Sequence, residues 1–215
     1  MSMLKTILFL IFLTASCAGY RLQDTDNPFK QYKINSIEIP MFYNQSTLSG
    51  ATPLFTKEIY RMVSGFDNLK IKSSGADATL IGILMSKDKI IETIVPGAPR
   101  SVENIVDTAI AQNRGEFYIP SNSTVNLTLK IIVIKQPTEE EIKFLRSKSS
   151  NQEFISSKII FSESIPLTST FTRELYDNES SSVIHTQNRG SLRKSLIAMS
   201  KSAAETFREM ILYAF

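Results

Sequence analysis

Apolar and polar residues change period several times along this chain, and each change marks an element. Across residues 36–43, Ile37, Ile39 and Met41 alternate with Ser36 and Glu38, the pattern of a strand with one buried face. Pro40 lacks a ladder donor and marks a strand end or an edge. Over residues 53–63 the spacing becomes helical, with Leu54, Phe55, Ile59, Met62 and Val63 on one side. Thr52 is the expected cap, Pro53 suits the first turn and Gly65 stops the helix. A brief strand follows at 69–71, and 78–85 (ATLIGILM) reads as a strongly apolar strand with a polar extension. Residues 96–123 keep no period and form a long connection, with a helical turn expected at 102–111. Val125, Leu127, Leu129, Ile131 and Val133 then alternate through a long strand at 124–135. Thr138 and the acids behind it open a short surface helix over 138–151, inserted in a hairpin whose second strand is 158–171. Residues 191–215 close the chain with a stripe of Leu192, Leu196, Met199, Ala203, Phe207, Met210, Ile211 and Ala214. The order β, α, three or four β, α predicts an α/β fold: a two-layer sandwich, with a mixed β-sheet of about four strands covered on one face by two helices.

The first residues carry a different signal. Lys5 precedes the unbroken apolar run Ile7–Leu13, and the small residues Thr14, Ala15 and Ser16 follow, the order of a secretory signal. The run is far shorter than the ~20 residues that span a bilayer. The chain's single cysteine, Cys17, stands directly behind it. A structural cysteine in a secreted protein has a partner; this one has none within the chain. The segment Leu13-Thr-Ala-Ser-Cys17 resembles a lipobox, so Cys17 is expected to become the new N-terminus and carry lipid. Thr14 departs from that pattern, standing where an aliphatic residue is usual. The alternative is an ordinary signal peptide with an incidental cysteine. Residues 1–16 are then the signal peptide, 17–33 a tether and 34–215 one domain. Sequons at Asn44, Asn122, Asn126 and Asn178 offer a secreted glycoprotein as a rival, against which stands the missing disulfide.

The formal charge of +3 gives no strong basic field, so no nucleic-acid partner is expected. One histidine, His185, falls in a polar stretch read as loop, without the His and Cys company a zinc site needs. No phosphate-cradling glycine loop appears, and Glu139–Glu141 is an acidic helix start rather than a catalytic pair. No enzyme activity, cofactor or metal is expected.

The order of several segments matches a known pattern. Cys17-Ala-Gly-Tyr20, then "SIEIPMFYNQS" with a Pro-Leu helix behind it, "GADATLIGILM", "TVNLTLKIIV" and the terminal amphipathic helix resemble the LPS-assembly lipoprotein family, LptE. The resemblance covers residues 17–215. It implies a lipid-anchored protein on the periplasmic side of the outer membrane. Ala18 after Cys17 fits that destination. It also implies a plug and support for an LptD-type β-barrel translocon, assisting lipopolysaccharide insertion into the outer leaflet without catalysing a reaction. The long 96–123 connection and the 138–151 insertion depart from the family. Loops bearing Tyr43, Asn104 and Ser149 are candidates to meet the barrel. Another periplasm-facing lipoprotein, such as an activator of a cell-wall synthase, remains the alternative, since a fold does not fix a function. Gln-Asn-Arg-Gly occurs twice, at 112–115 and 187–190. Both copies are expected in loops at one end of the sandwich. Arg114 and Arg189 are the candidate lipopolysaccharide contacts, because guanidinium groups bind phosphate in a fork. The family links basic residues in these two loops to that ligand.

Overall fold

The computed structural model describes residues 26–86, 94–96, 99–101, 118–120, 122–147, 157–173 and 181–215. Cys17, Asn104, Arg114, Ser149 and the expected turn at 102–111 lie outside the described residues.

Two long strands form the spine of the sheet. Strand β8 (Asn122–Lys135) pairs antiparallel with β9 (Ile159–Thr172) on one side and with β4 (Ala78–Ser86) on the other. Strand β5 (Ile94–Pro96) continues the β4 row along β8. Strands β1 (Ser36–Glu38) and β2 (Tyr43–Gln45) both lie parallel to β4, and β3 (Lys70–Lys72) lies parallel to β1. The sheet thus holds seven strands, where about four were expected. Two rows are interrupted and β3 adds a short edge, so the seven pieces occupy five rows. Strands β6 (Pro99–Ser101) and β7 (Tyr118–Pro120) form a separate antiparallel ribbon.

Pro40 explains the break between β1 and β2. It has no N–H for the ladder, and the alternation does not continue across it. Met41, expected inside, is 57% exposed, and Phe42 takes the buried position instead.

Helix α1 (Thr52–Val63) buries Phe55, Ile59 and Val63. Its N-cap is Ala51 rather than Thr52, with Pro53 in the first turn. Thr52 lies inside the helix, where its carbonyl accepts the Thr56 hydroxyl at 2.9 Å. Helix α2 (Glu139–Ser147) follows β8, and helix α3 (Ser181–Ala214) closes the chain. Helix α3 begins ten residues earlier than the apolar stripe suggested. Gly190 inside it sits at an ordinary helical φ with nothing within 4 Å of a built Cβ, so one glycine weakens the helix without ending it.

The main core lies between α1, α3 and one sheet face. Leu80, Leu84, Leu127, Leu129, Ile131 and Phe161 meet Phe55, Ile59, Met199, Ala203, Phe207 and Ile211 there. Residues from Asn27 onward fold against this core. Phe29 is fully buried, and Asn27 ties the turn by donating to the Ile34 carbonyl at 2.6 Å. The Asp77 carboxylate clips β1 to the start of β4. It accepts the Asn35 N–H at 3.0 Å, and the Ser36 N–H and hydroxyl at 2.9 Å each.

Helices α1 and α3 cover one face as expected, and the expected surface helix covers part of the other. Helix α2 lays Leu145 and Ile142 on Ile81, Ile83, Ile132 and Ile134. Alternation in β4 and β8 ends in continuous apolar runs at this end, so both faces there need cover. Thr138 and Glu141 form a reciprocal capping box at the start of α2, at 2.7 and 3.2 Å, and Lys158 pairs with Glu141 at 3.1 Å. Beyond α2 the second face turns polar. Thr124 bonds Thr170 at 2.9 Å and Thr168 donates to Asn126 at 3.0 Å across β8 and β9.

Candidate functional site: a cationic cleft at the head of the long helix

A cleft of about 720 Å³ opens where the 47–50 loop and the first turn of α1 face residues 189–196 of α3. Leu48, Leu54, Leu192 and Leu196 supply hydrocarbon, and Arg189 and Arg193 supply charge. None of the lining residues is acidic. Arg189 and Arg193 stand four residues apart on one helix, where like charges repel. Neither guanidinium makes a hydrogen bond or ion pair with another described residue. Helix α1 opens on the cleft without a capping side chain, so its N-terminal dipole adds to the positive field.

The loop wall is held by local chemistry. Asn44 accepts the Ser46 N–H at 3.0 Å and the Ser46 hydroxyl at 2.7 Å, and donates to the Leu48 carbonyl at 2.7 Å. Gly50 closes the turn at φ +74°, a conformation that a side chain disfavours. The "YNQSTLSGATP" loop therefore presents Leu48 and Thr47 from a hydrogen-bonded frame.

Arg189 was singled out in the sequence, but in a loop. It lies in α3, as does exposed His185, and the second Gln-Asn-Arg-Gly copy is helical throughout. The string has good turn chemistry, yet its own turn-forming preference is outweighed by continuous helix on both sides. The pairing of Arg189 with Arg114 falls outside the described residues. Arg193 was not anticipated. Its signal was the four-residue step from Arg189 beside Leu192 and Leu196.

A second cleft, about 580 Å³, lies between α2, the end of β1, the 74–76 turn and the start of β4. Its lining mixes Glu38 and Glu139 with Lys143 and Arg146. The Arg146 guanidinium lies 3.9 Å from the Tyr43 ring centroid, and desolvation lowers its pKa. Gln45 donates to the Arg146 carbonyl at 2.9 Å. Tyr43 is thus part of the seat of α2 rather than a loop tip. Among the described residues no cluster of His, Cys, Asp and Glu could hold a metal ion, and no helix is long and apolar enough to cross a membrane.

No protein-family model matches the chain, and no curated protein matches it. Solved structures with a similar chain path include three bacterial lipoproteins. The rare lipoprotein B of Shewanella oneidensis is 9% identical with a TM-score of 0.38, covering 83% of this chain and 98% of that one. Lipoprotein B of Nitrosomonas europaea is 10% identical with a TM-score of 0.35, covering 87% and 85%. A Neisseria meningitidis lipoprotein is 10% identical with a TM-score of 0.34, covering 74% and 96%.

Proposed function

We propose that the protein is a lipid-anchored, periplasm-facing partner of an outer-membrane β-barrel translocon of LptD type, and that it assists lipopolysaccharide insertion. Cys17 carries the lipid, and Arg189 with Arg193 contacts the lipopolysaccharide. The observation that carries this reading is the cleft: two arginines without carboxylates, over leucine walls, match a molecule that joins phosphates to hydrocarbon. The hydroxyl and amide ladder on β8 and β9 supports the barrel partner, because a barrel lumen is polar.

The test is binding of purified lipopolysaccharide to the wild type and to the Arg189→Ala, Arg193→Ala double variant over a salt series. Two charge-assisted contacts predict a loss of at least about tenfold at low salt, shrinking as salt rises. Equal binding by a folded double variant overturns the role of the cleft. Recovery of the native chain with a cell-wall synthase, and with no barrel, overturns the translocon partner.

A further inference from the structure

The end of the molecule opposite the cleft has its own chemistry. The start of the described chain and its C-terminus meet there: the Phe215 ring lies 5.6 Å from Phe29 and 5.4 Å from Tyr32. The ends of β8 and α3 reach the same place, since Lys135 donates to the Tyr32 carbonyl at 2.9 Å. Two tyrosines are exposed at this end, Tyr32 at 37% and Tyr213 at 71%. Lys33 stands beside them, exposed, at φ +58°.

The acids nearby are largely committed to internal hydrogen bonds. Asp77 is held by Asn35 and Ser36. Asp26 accepts from Asn27 and Asn68 and pairs with Lys30 at 3.4 Å. Both carboxylates stay ionised and Glu209 is exposed one helical turn before Tyr213, with Lys30, Lys33 and Lys135 as the counterbalancing cations, so the charge of this face is mixed; its two exposed tyrosines are the residue type that rests at a lipid headgroup layer.

Chain length brings that layer within reach. Nine residue steps separate Cys17 from Asp26, at most about 30 Å of extended chain. We infer that this end is a membrane-facing foot, with Tyr32, Lys33 and Tyr213 seated on the headgroups of the anchoring leaflet. The inference rests on the proposed lipid at Cys17. Helix α3 then sets the geometry. From Phe215 back to Arg189 it rises about 40 Å at 1.5 Å per residue, so the foot and the cleft stand at opposite ends of one rigid rod.

The chain has no tryptophan, which makes a direct test available. Single tryptophans are placed at the foot, by Tyr32→Trp and Tyr213→Trp, and at the far end, by Val183→Trp at a 42% exposed helix position. The mature chain is coupled through the Cys17 thiol to a maleimide headgroup lipid. The vesicles contain phosphatidylethanolamine and phosphatidylglycerol with brominated acyl chains, and no lipopolysaccharide. Quenching of both foot probes, with Val183→Trp unquenched, is the expected result. Unquenched foot probes, or quenching of Val183→Trp to the same extent, overturn the inference. Because coupling replaces acylation, the mass of the native N-terminus reports separately on the anchor. An unmodified Cys17 there would sink the anchor while leaving the orientation measured.

Discussion

The ring of Phe42 lies directly over the α-carbon of Gly82. A methyl built on Gly82 would fall 2.5 Å from the Phe42 ring carbons. Gly82 is in the middle of β4, where glycine normally weakens a strand, and this close approach is what requires it. Phe42 is the buried residue that restores the core face after the Pro40 break. Gly82→Ala should therefore cost about 1–3 kcal/mol by overpacking. Combined with Phe42→Leu, it should cost less than the sum of the two single changes, as neighbouring sites couple. Urea midpoints for the four proteins of the cycle measure this; additive costs would remove the contact as the cause.

Asp77 ties acid stability to the sheet edge. The Asn35 N–H, with the Ser36 hydroxyl next, holds its carboxyl below the usual carboxylate range. A depressed folded pKa stabilises the protein above the unfolded value near 3.8, and that contribution is lost as pH falls through the folded value. Asp26 and Glu141 are lowered too, each first by a backbone N–H, of Asn27 and Thr138. Stability should hold at neutral pH and fall below about pH 4. Asp77→Asn should be less stable than wild type at pH 7 and show a shallower loss as pH falls below about 4. Parallel curves for the two proteins would mean that Asp77 does not titrate in that window.

Much of the fold was legible because its long elements repeat cleanly. Val125 through Val133 alternate without error, and Leu196 through Ile211 keep one helical face, so β8 and the C-terminal half of α3 could be read directly. The misreadings have two causes: at Pro40 local chemistry broke an alternation that would have put Met41 inside, and at residues 187–190 local turn chemistry was outvoted by its neighbours. The Gln187–Gly190 string has turn chemistry, but Ile184 is buried before it and Leu196 after it, so the helix runs through. The 138–151 segment reads as a surface helix because few of its residues are apolar; among those described, Leu145 and Ile142 suffice to cover one end of the second face. The cleft was half legible. Arg189 stood out through a repeated string, whereas Arg193 gains meaning only once α1 and the 47–50 loop are folded against it.

Helix α2 should be separable from the rest of the fold. Its hold depends on the Thr138–Glu141 box and on Leu145 and Ile142. Thr138→Ala should cost about 1 kcal/mol through the lost cap. The change should appear as faster amide exchange in residues 139–147, with α3 unaffected. Equal acceleration across α3 would show that α2 opens only when the whole protein does.

Gly190 offers the sharpest test of whether the second Gln-Asn-Arg-Gly string is a helix or a turn. A turn or helix cap would use glycine for a positive φ, and any side chain there would strain the backbone. In this structure Gly190 lies ten residues into α3, at a φ within the normal helical range, and nothing lies within 4 Å of a built Cβ. Alanine at this position should therefore stabilise the protein by up to about 1 kcal/mol, through helix propensity alone. Gly190 also lines the cleft, so the added methyl extends its hydrocarbon wall and removes neither arginine. Lipopolysaccharide binding by Gly190→Ala should be retained. Thermal unfolding measures the first effect and the low-salt binding assay the second. A destabilised Gly190→Ala variant would return residues 187–190 to a turn and remove the four-residue step that sets Arg189 above Arg193.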